Sequence, residues 1–323
     1  MQTRMTHSGN RLNGFQRTGS AHWCALAVLS GILTTGCSIK KMAVNAAGNA
    51  LANGGTTFTA DDDPELIKAA LPFSLKLMES LLAENPRHQG LLFATASGFT
   101  SYAVAFVQQD ADEAEQESFA KAEAIKQRAL RLFLRARNYG LRGLDVSHPG
   151  FEKKLRANPT AAVRGAKKAD VPLLYWTAAA WAKAISLSVD DPNLVADLPM
   201  IEALINRALE LDEAWNEGAI HGFLITYEMS RALPEAEKEA RARKHFDRAM
   251  ELSHGRQAGP MVSLAEAVSV PKRNAVEFDA LLTRALAIDP DQHPESRLIN
   301  LVMQRRARWL LTQRDELFLT NPK

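Results

Sequence analysis

One phrase, returning at the ends of successive segments, constrains this 323-residue chain more than any other feature. It reads Asn206-Arg207-Ala208-Leu209-Glu210-Leu211-Asp212, then Asp247-Arg248-Ala249-Met250-Glu251-Leu252, then Thr283-Arg284-Ala285-Leu286-Ala287-Ile288-Asp289-Pro290. A recurring unit of this size means stacking, because one unit alone cannot bury its apolar face. Successive alanines of the phrase stand 41 residues apart (208 to 249) and 36 apart (249 to 285). Within it runs a finer pattern, Ala-x3-Phe-x2-Ala, intact at Ala242/Phe246/Ala249 and at Ala129/Phe133/Ala136. Relaxed versions stand at Phe278/Leu282/Ala285 and Ile201/Ile205/Ala208. Small residues at the close contact with a large one between them let two helices interlock.

This ending is similar to the second helix of a tetratricopeptide repeat, whose period is about 34 residues. The best first-helix counterpart is Leu174-x2-Thr177-Ala178-x2-Trp181. Ala, Leu, Glu, Lys and Arg fill the long segments and alternating β-branched runs are scarce, so the expectation is all-α. It takes the form of a helical-repeat array of about four helix pairs at 90–138, 172–212, 216–253 and 258–289. A helix pair at 64–85, kinked at Pro72, precedes them and a helix at 295–312 caps them. Asp61-Asp62-Asp63-Pro64 is a helix start, with acid at the positive end of the dipole. The 72 residues between Ala136 and Ala208 exceed one unit, so about 142–171, rich in Lys, Arg, Pro and Gly, reads as an insertion.

The first 36 residues read as an address. Arg4, Arg11 and Arg17 precede the short apolar stretch Ala21 to Leu33, which ends in Leu33-Thr34-Thr35-Gly36-Cys37. Small residues before a cysteine resemble a bacterial lipobox, with Thr34 where leucine is usual, and Cys37 is the expected lipidation site. Its removal would take the formal charge from +2 to −1, leaving no basic excess for nucleic acid. Cys24 goes with it, so no disulfide is expected. Residues 37–60, small and Gly-rich, read as a flexible tether, and 61–323 as the folded domain. Beyond the leader, Val171 to Val189 comes closest to a membrane span and is interrupted by Lys183.

No catalytic constellation emerges: H-E-x-x-H, G-x-S-x-G, G-x-x-x-x-G-K-[ST] and C-x-x-C are all missing. No metal or cofactor is expected. His221 and His245 read as packing histidines, and Asp112, Glu113, Glu115 and Glu117 as a solvated helix face. Arg305, Arg306 and Arg308 form a short basic run that either solvates a capping face or docks an acidic partner. In Leu173 to Trp181, alanines and aromatic rings supply the ingredients of a ligand tunnel or simply of tight helix packing.

The connecting residues carry a resemblance. Ala70-Leu71-Pro72-Phe73, Phe133-Leu134-Arg135-Ala136-Arg137-Asn138-Tyr139-Gly140, Asp190-Asp191-Pro192 and Arg297-Leu298-Ile299-Asn300, in this order, resemble the T-component of tripartite ATP-independent periplasmic (TRAP) transporters, TatT. The resemblance implies a non-enzymatic periplasmic lipoprotein that assembles as a homo-oligomer, with a trimer favoured. Its implied partners are the solute-binding P-component and a small apolar solute passing through a tunnel. It makes Tyr175, Trp176, Ala178, Ala179, Trp181, Phe223 and Tyr227 the candidate tunnel wall. Membrane contact would be through the lipid alone, and Ser38 after Cys37 favours the outer membrane. The competing expectation is a scaffold lipoprotein that grips peptides during cell-envelope assembly.

Overall fold

The computed structural model describes residues 42, 44–52 and 54–318, so the leader and Cys37 lie outside the described residues. The chain divides after Val44, and the unit beginning at Asn45 is the one considered below. It contains helices and no strand among the described residues. The main ones are α1 (Gly55–Thr59), α2 (Pro64–Glu84), α3 (Gln89–Glu115), α4 (Phe119–Ser147), α5 (Phe151–Ala157) and α6 (Pro159–Val163). They continue as α7 (Val171–Ser186), α8 (Pro192–Val195), α9 (Leu198–Leu211), α10 (Trp215–Met229) and α11 (Glu235–Leu252). The last four are α12 (Gly259–Leu264), α13 (Ala275–Leu286), α14 (Arg297–Thr312) and α15 (Arg314–Phe318).

Helix starts follow from local chemistry. The Asp63 carboxylate accepts the backbone N–H groups of Glu65 and Leu66, both at 3.0 Å, and Pro64 fills a position where no N–H is needed. Ser118 caps α4, Asn158 caps α6 and Asn274 caps α13 in the same way. α2 runs unbroken through Pro72, so one helix stands where a pair is expected. Ile67 and Leu75 are buried in one apolar cluster and Leu82 in another, so both halves of the helix are held by packing.

Consecutive long helices pack as pairs: α3 with α4, α7 with α9, α10 with α11, α12 with α13. The repeated small and large residues form the seams, since Ala129, Phe133, Ala136, Ala208, Ala242, Ala249, Phe278 and Ala285 are all buried. α4 lies along α7 through two glycines. A β-carbon on Gly140 would stand 2.2 Å from Thr177 Oγ1, and one on Gly143 2.7 Å from Leu173 Cδ2. α14 packs on α12 and α13 and also reaches α1 and α2, so the two ends of the array meet. Leu298 and Val302 of α14 join the same apolar cluster as Ile67, Val107 and Phe133.

Three expectations need correction. The segment read as an insertion from about 142 begins inside α4, which continues to Ser147, and the rest of it carries α5 and α6. Phe151, Leu155 and Val163 of α5 and α6 are buried in the cluster that holds Trp181 and Leu204. The stretch read as a tether is helical at 45–52 and in α1, where alanine-rich sequence favours helix and Leu51 packs beside Leu82, Leu91 and Leu92. The longest apolar helix is α3, not 171–189. It has the length and apolarity of a membrane span, but 56% of that window is buried inside the protein, against α2, α4 and α7.

Candidate ligand-binding interior

α7 has two unlike faces. Leu174, Ala178, Trp181 and Ile185 point into the core, while Tyr175, Trp176, Ala182 and Lys183 keep accessible surface on the opposite arc, with Ala179 between them at 7% exposure. Two candidates are thereby reassigned. Trp181 is fully buried, its Nε1 donates to Asp197 at 3.2 Å, and the guanidinium groups of Arg137 and Arg156 cover its ring at 4.9 and 5.7 Å. Ala178, equally buried, packs on the same side. Both are core residues because helical periodicity turns them away from the accessible arc.

The remaining aromatic candidates do come together. The ring of Tyr175 lies 5.1 Å from Trp176 and 6.3 Å from Phe223, and Phe223 stacks on Tyr227 at 5.5 Å. Nearest of all to Tyr175 is Trp215, at 4.9 Å, which the sequence reading missed. Its placement depends on unusual backbone: Asn216, Glu217 and Gly218 follow it with φ of 48°, 54° and 84°. Left-handed turns are strained for non-glycine residues, so something must hold this one. The Glu217 carboxylate does so by accepting from Arg256 at 2.7 Å and Gln257 at 3.0 Å. A tryptophan before Asn-x-Gly was the available signal, and without the partner loop it carried no direction.

A β-carbon on Gly222, one residue before Phe223, would meet nothing within 4 Å, so α10 borders open space at that turn. Protein surrounds Tyr175 closely enough to push its hydroxyl up to about 12, and burial raises Tyr227 too. The Tyr175 hydroxyl makes no hydrogen bond among the described residues.

Farther along the same face the surroundings become polar. Burial draws the Lys183 ammonium below its ordinary range, partly opposed by Glu266 and Asp112, while Arg306 adds to the lowering. These three groups belong to three other elements. Two π-helical turns, Ala103–Gln108 within α3 and Ala265–Ser269 following α12, adjoin this region. Such turns recur at functional sites. Arg306 joins them, reaching Asp112 Oδ2 at 2.7 Å, Gln109 Oε1 at 3.0 Å and Glu266 Oε1 at 2.6 Å, with Trp309 under its guanidinium at 4.3 Å. Burial nonetheless holds the Asp112 carboxyl above its ordinary range.

The basic run therefore faces mostly inward. Arg305 pairs with Glu113 at 3.0 Å and Glu65 at 3.2 Å, which leaves Arg308 as the exposed member of the three. The acids expected to be a solvated face, Asp112 and Glu113, are the receivers of these arginines. No group of metal-ligating side chains occurs among the described residues. A pocket of about 250 Å³ between α11 and α13 is floored by the Arg243–Glu277 ion pair at 2.6 Å and lies apart from the aromatic wall.

The described residues form an all-helical chain whose last long helix packs on its first ones, with an aromatic cluster on α7 and α10. Comparison with known proteins gives the family. Residues 60–318 match the family described as TRAP transporter T-component, and the chain belongs to that family, an accessory component of TRAP transport. It is also similar to an uncharacterized protein of Treponema pallidum (strain Nichols), 29% identical over 320 residues that cover 93% of this chain and 98% of that one.

Proposed function

We propose that this protein is a lipid-anchored periplasmic T-component. On this reading it docks the solute-binding P-component of a TRAP system and lets an apolar solute pass through its interior. The observation that carries the reading is the aromatic wall of Tyr175, Trp176, Trp215 and Phe223, set on the accessible face of α7 and α10 beside the open space at Gly222. Aromatic side chains at protein surfaces are ordinarily spent on packing, and a cluster left accessible inside an array suits an apolar ligand. Paired packing of successive helices supports reading the chain as a tetratricopeptide-like array, with Cys37 as its anchor. On this reading it assembles as a homo-oligomer, with a trimer favoured, and sits at the outer membrane, with which Ser38 after the cysteine accords.

Crosslinking in cells, purification through a C-terminal tag and mass spectrometry test this reading. Recovery of a TRAP-type solute-binding protein is the expected result. Recovery of envelope-assembly proteins without one would replace it with a peptide-gripping scaffold.

A further inference from the structure

Three large apolar side chains of α2 stand out of the protein in a line: Leu66 is 56% exposed, Phe73 74% and Leu77 39%. Steps of seven and four residues put them on one face of the helix, with Ala69, Ala70 and Ser80 alongside and no charged residue among them. The opposite face carries the buried Ile67, Leu75 and Leu82, so α2 is apolar on two sides and packed on one. A second line runs along α4, where Arg128, Arg131, Arg135 and Arg142 recur at helical spacing, all exposed. Glu79 of α2 ties the two lines together, accepting from Lys76 and Arg135 at 2.7 Å each. Arg128 donates to the Tyr102 hydroxyl at 3.1 Å and Arg142 to the Pro86 carbonyl at 3.2 Å, so neither has a carboxylate partner among the described residues. Arg131 has no partner there at all. With Lys76 and Arg87, six cations stand against the carboxylates of Glu79 and Glu84.

The chain enters the folded body at the same place. Asn85, which ends α2, donates to Asn45 at 2.7 Å. Eight residues lead from Cys37 to Asn45, a span of at most about 28 Å when fully extended. Leu77 and Phe73 lie about 12 and 18 Å from Asn85 along the helix. A lipid on Cys37 therefore keeps the bilayer within reach of the apolar line.

We propose that α2 and α4 form a membrane-docking surface, with Leu66, Phe73 and Leu77 entering the headgroup–acyl boundary and Arg128, Arg131 and Arg142 pairing with anionic lipid phosphates beside it. This goes beyond the function proposed above, rests on its lipidated Cys37, and adds a protein contact to the expected lipid one. Apolar side chains on one line with basic ones next to it are the composition that holds a helix in the plane of an anionic bilayer. Guanidinium groups free of carboxylates suit phosphate oxygens, which they grip bidentately. A ridge of projecting side chains offers a folded partner no cleft, whereas immersion in lipid needs none.

The test uses the processed lipoprotein in vesicles of phosphatidylcholine alone or of an equimolar mixture with phosphatidylglycerol. With Cys24 removed and Cys37 acylated, Ala69→Cys supplies the single thiol for an environment-sensitive fluorophore, and Val276→Cys on α13 supplies the control. Flotation reports the anchor, and quenching by nitroxide-labelled lipid reports contact at the labelled site. The label at 69 is expected to be quenched in the mixed vesicles and less so in phosphatidylcholine, and the label at 276 in neither. Arg131→Gln, which has no bond within the protein to lose, should lower the docked-to-free ratio about fivefold, the share of one basic residue near an anionic surface, and Arg131→Lys should restore it. Flotation without quenching at 69 overturns the docking surface and leaves the anchor standing, whereas a chain that does not float overturns the anchor itself. Equal quenching in the two vesicles, or at 69 and 276, also overturns the proposal. A label at 69 that is shifted to the blue but not quenched does so as well, by showing a protein on this face in place of lipid.

Discussion

The Arg306 guanidinium meets the Asp112 carboxylate at 2.7 Å across 194 residues of sequence, and this contact joins the last long helix to the first pair. Glu266 on its other edge, at 2.6 Å, brings in the fourth pair. Arg306→Met would leave two partly buried carboxylates facing each other without their counter-charge. We expect a loss of about 3 kcal/mol in urea unfolding, as for other broken buried pairs. Arg306→Lys should recover only part of it, since an ammonium cannot reproduce the planar fork that serves both α3 and the turn after α12. A midpoint unchanged by Arg306→Met would show that the closure is held by the Leu298 and Val302 contacts instead.

The Nδ1 atoms of His221 and His245 stand 2.8 Å apart, between α10 and α11. One ring must donate and the other accept, so the pair is stable with both rings neutral. Burial lowers both, and His245, also repelled by His221, is pushed down to about 4. Because the folded values lie below the unfolded value near 6.5, the unfolded chain binds more protons in this range. The contribution is complete above about 6.5 and is lost as the pH falls towards 4. Melting temperatures measured between pH 7.5 and 4.5 should therefore fall with acidification, and His245→Phe should flatten that part of the profile. A profile identical in the variant would assign the acid sensitivity to carboxylates.

Gly140 sets the distance between α4 and α7. Gly140→Ala places a methyl group 2.2 Å from Thr177 Oγ1 and 3.3 Å from its backbone Cα, where neither helix can yield without shifting. Overpacking of this kind costs about 1–3 kcal/mol. Gly140→Ala with Thr177→Ala should recover much of the loss in a denaturation series, because the closest clash is with the hydroxyl oxygen. Absence of recovery would place the strain in the backbone contact.

Ala178 and Ala179 are neighbours with opposite roles. Ala179→Trp, at a position 7% exposed on the edge of the accessible arc, should abolish uptake of an apolar fluorescent probe and lower the melting temperature less than Ala178→Trp does. Ala178→Trp drives an indole into a core that has no room, and should lower the melting temperature by several degrees. If both variants melt alike and both still take up the probe, α7 does not border the ligand path.

The helices and their seams were readable because their determinants are local. Caps such as Asp63 and Asn274 sit beside the helices they start, and the Ala-x3-Phe-x2-Ala spacing states which side of a helix is buried without reference to its partner. The family resemblance, not the spacing, made Tyr175, Phe223 and Tyr227 candidates for one wall. Long-range relations decided the rest. Whether Trp181 or Trp176 faced the interior depended on where α4 lies, since Arg137 and Asp197 claim Trp181 from two different elements. Trp215 joined the wall only through a left-handed turn that Arg256 and Gln257 hold from the next loop. Arg306 reads as a surface charge until α14 returns to α3, because nothing within its own helix shows that two carboxylates wait 40 and 194 residues away. Local propensity and periodicity act through neighbours in the chain, whereas the environment of a charge or a ring is set by the elements that folding brings beside it.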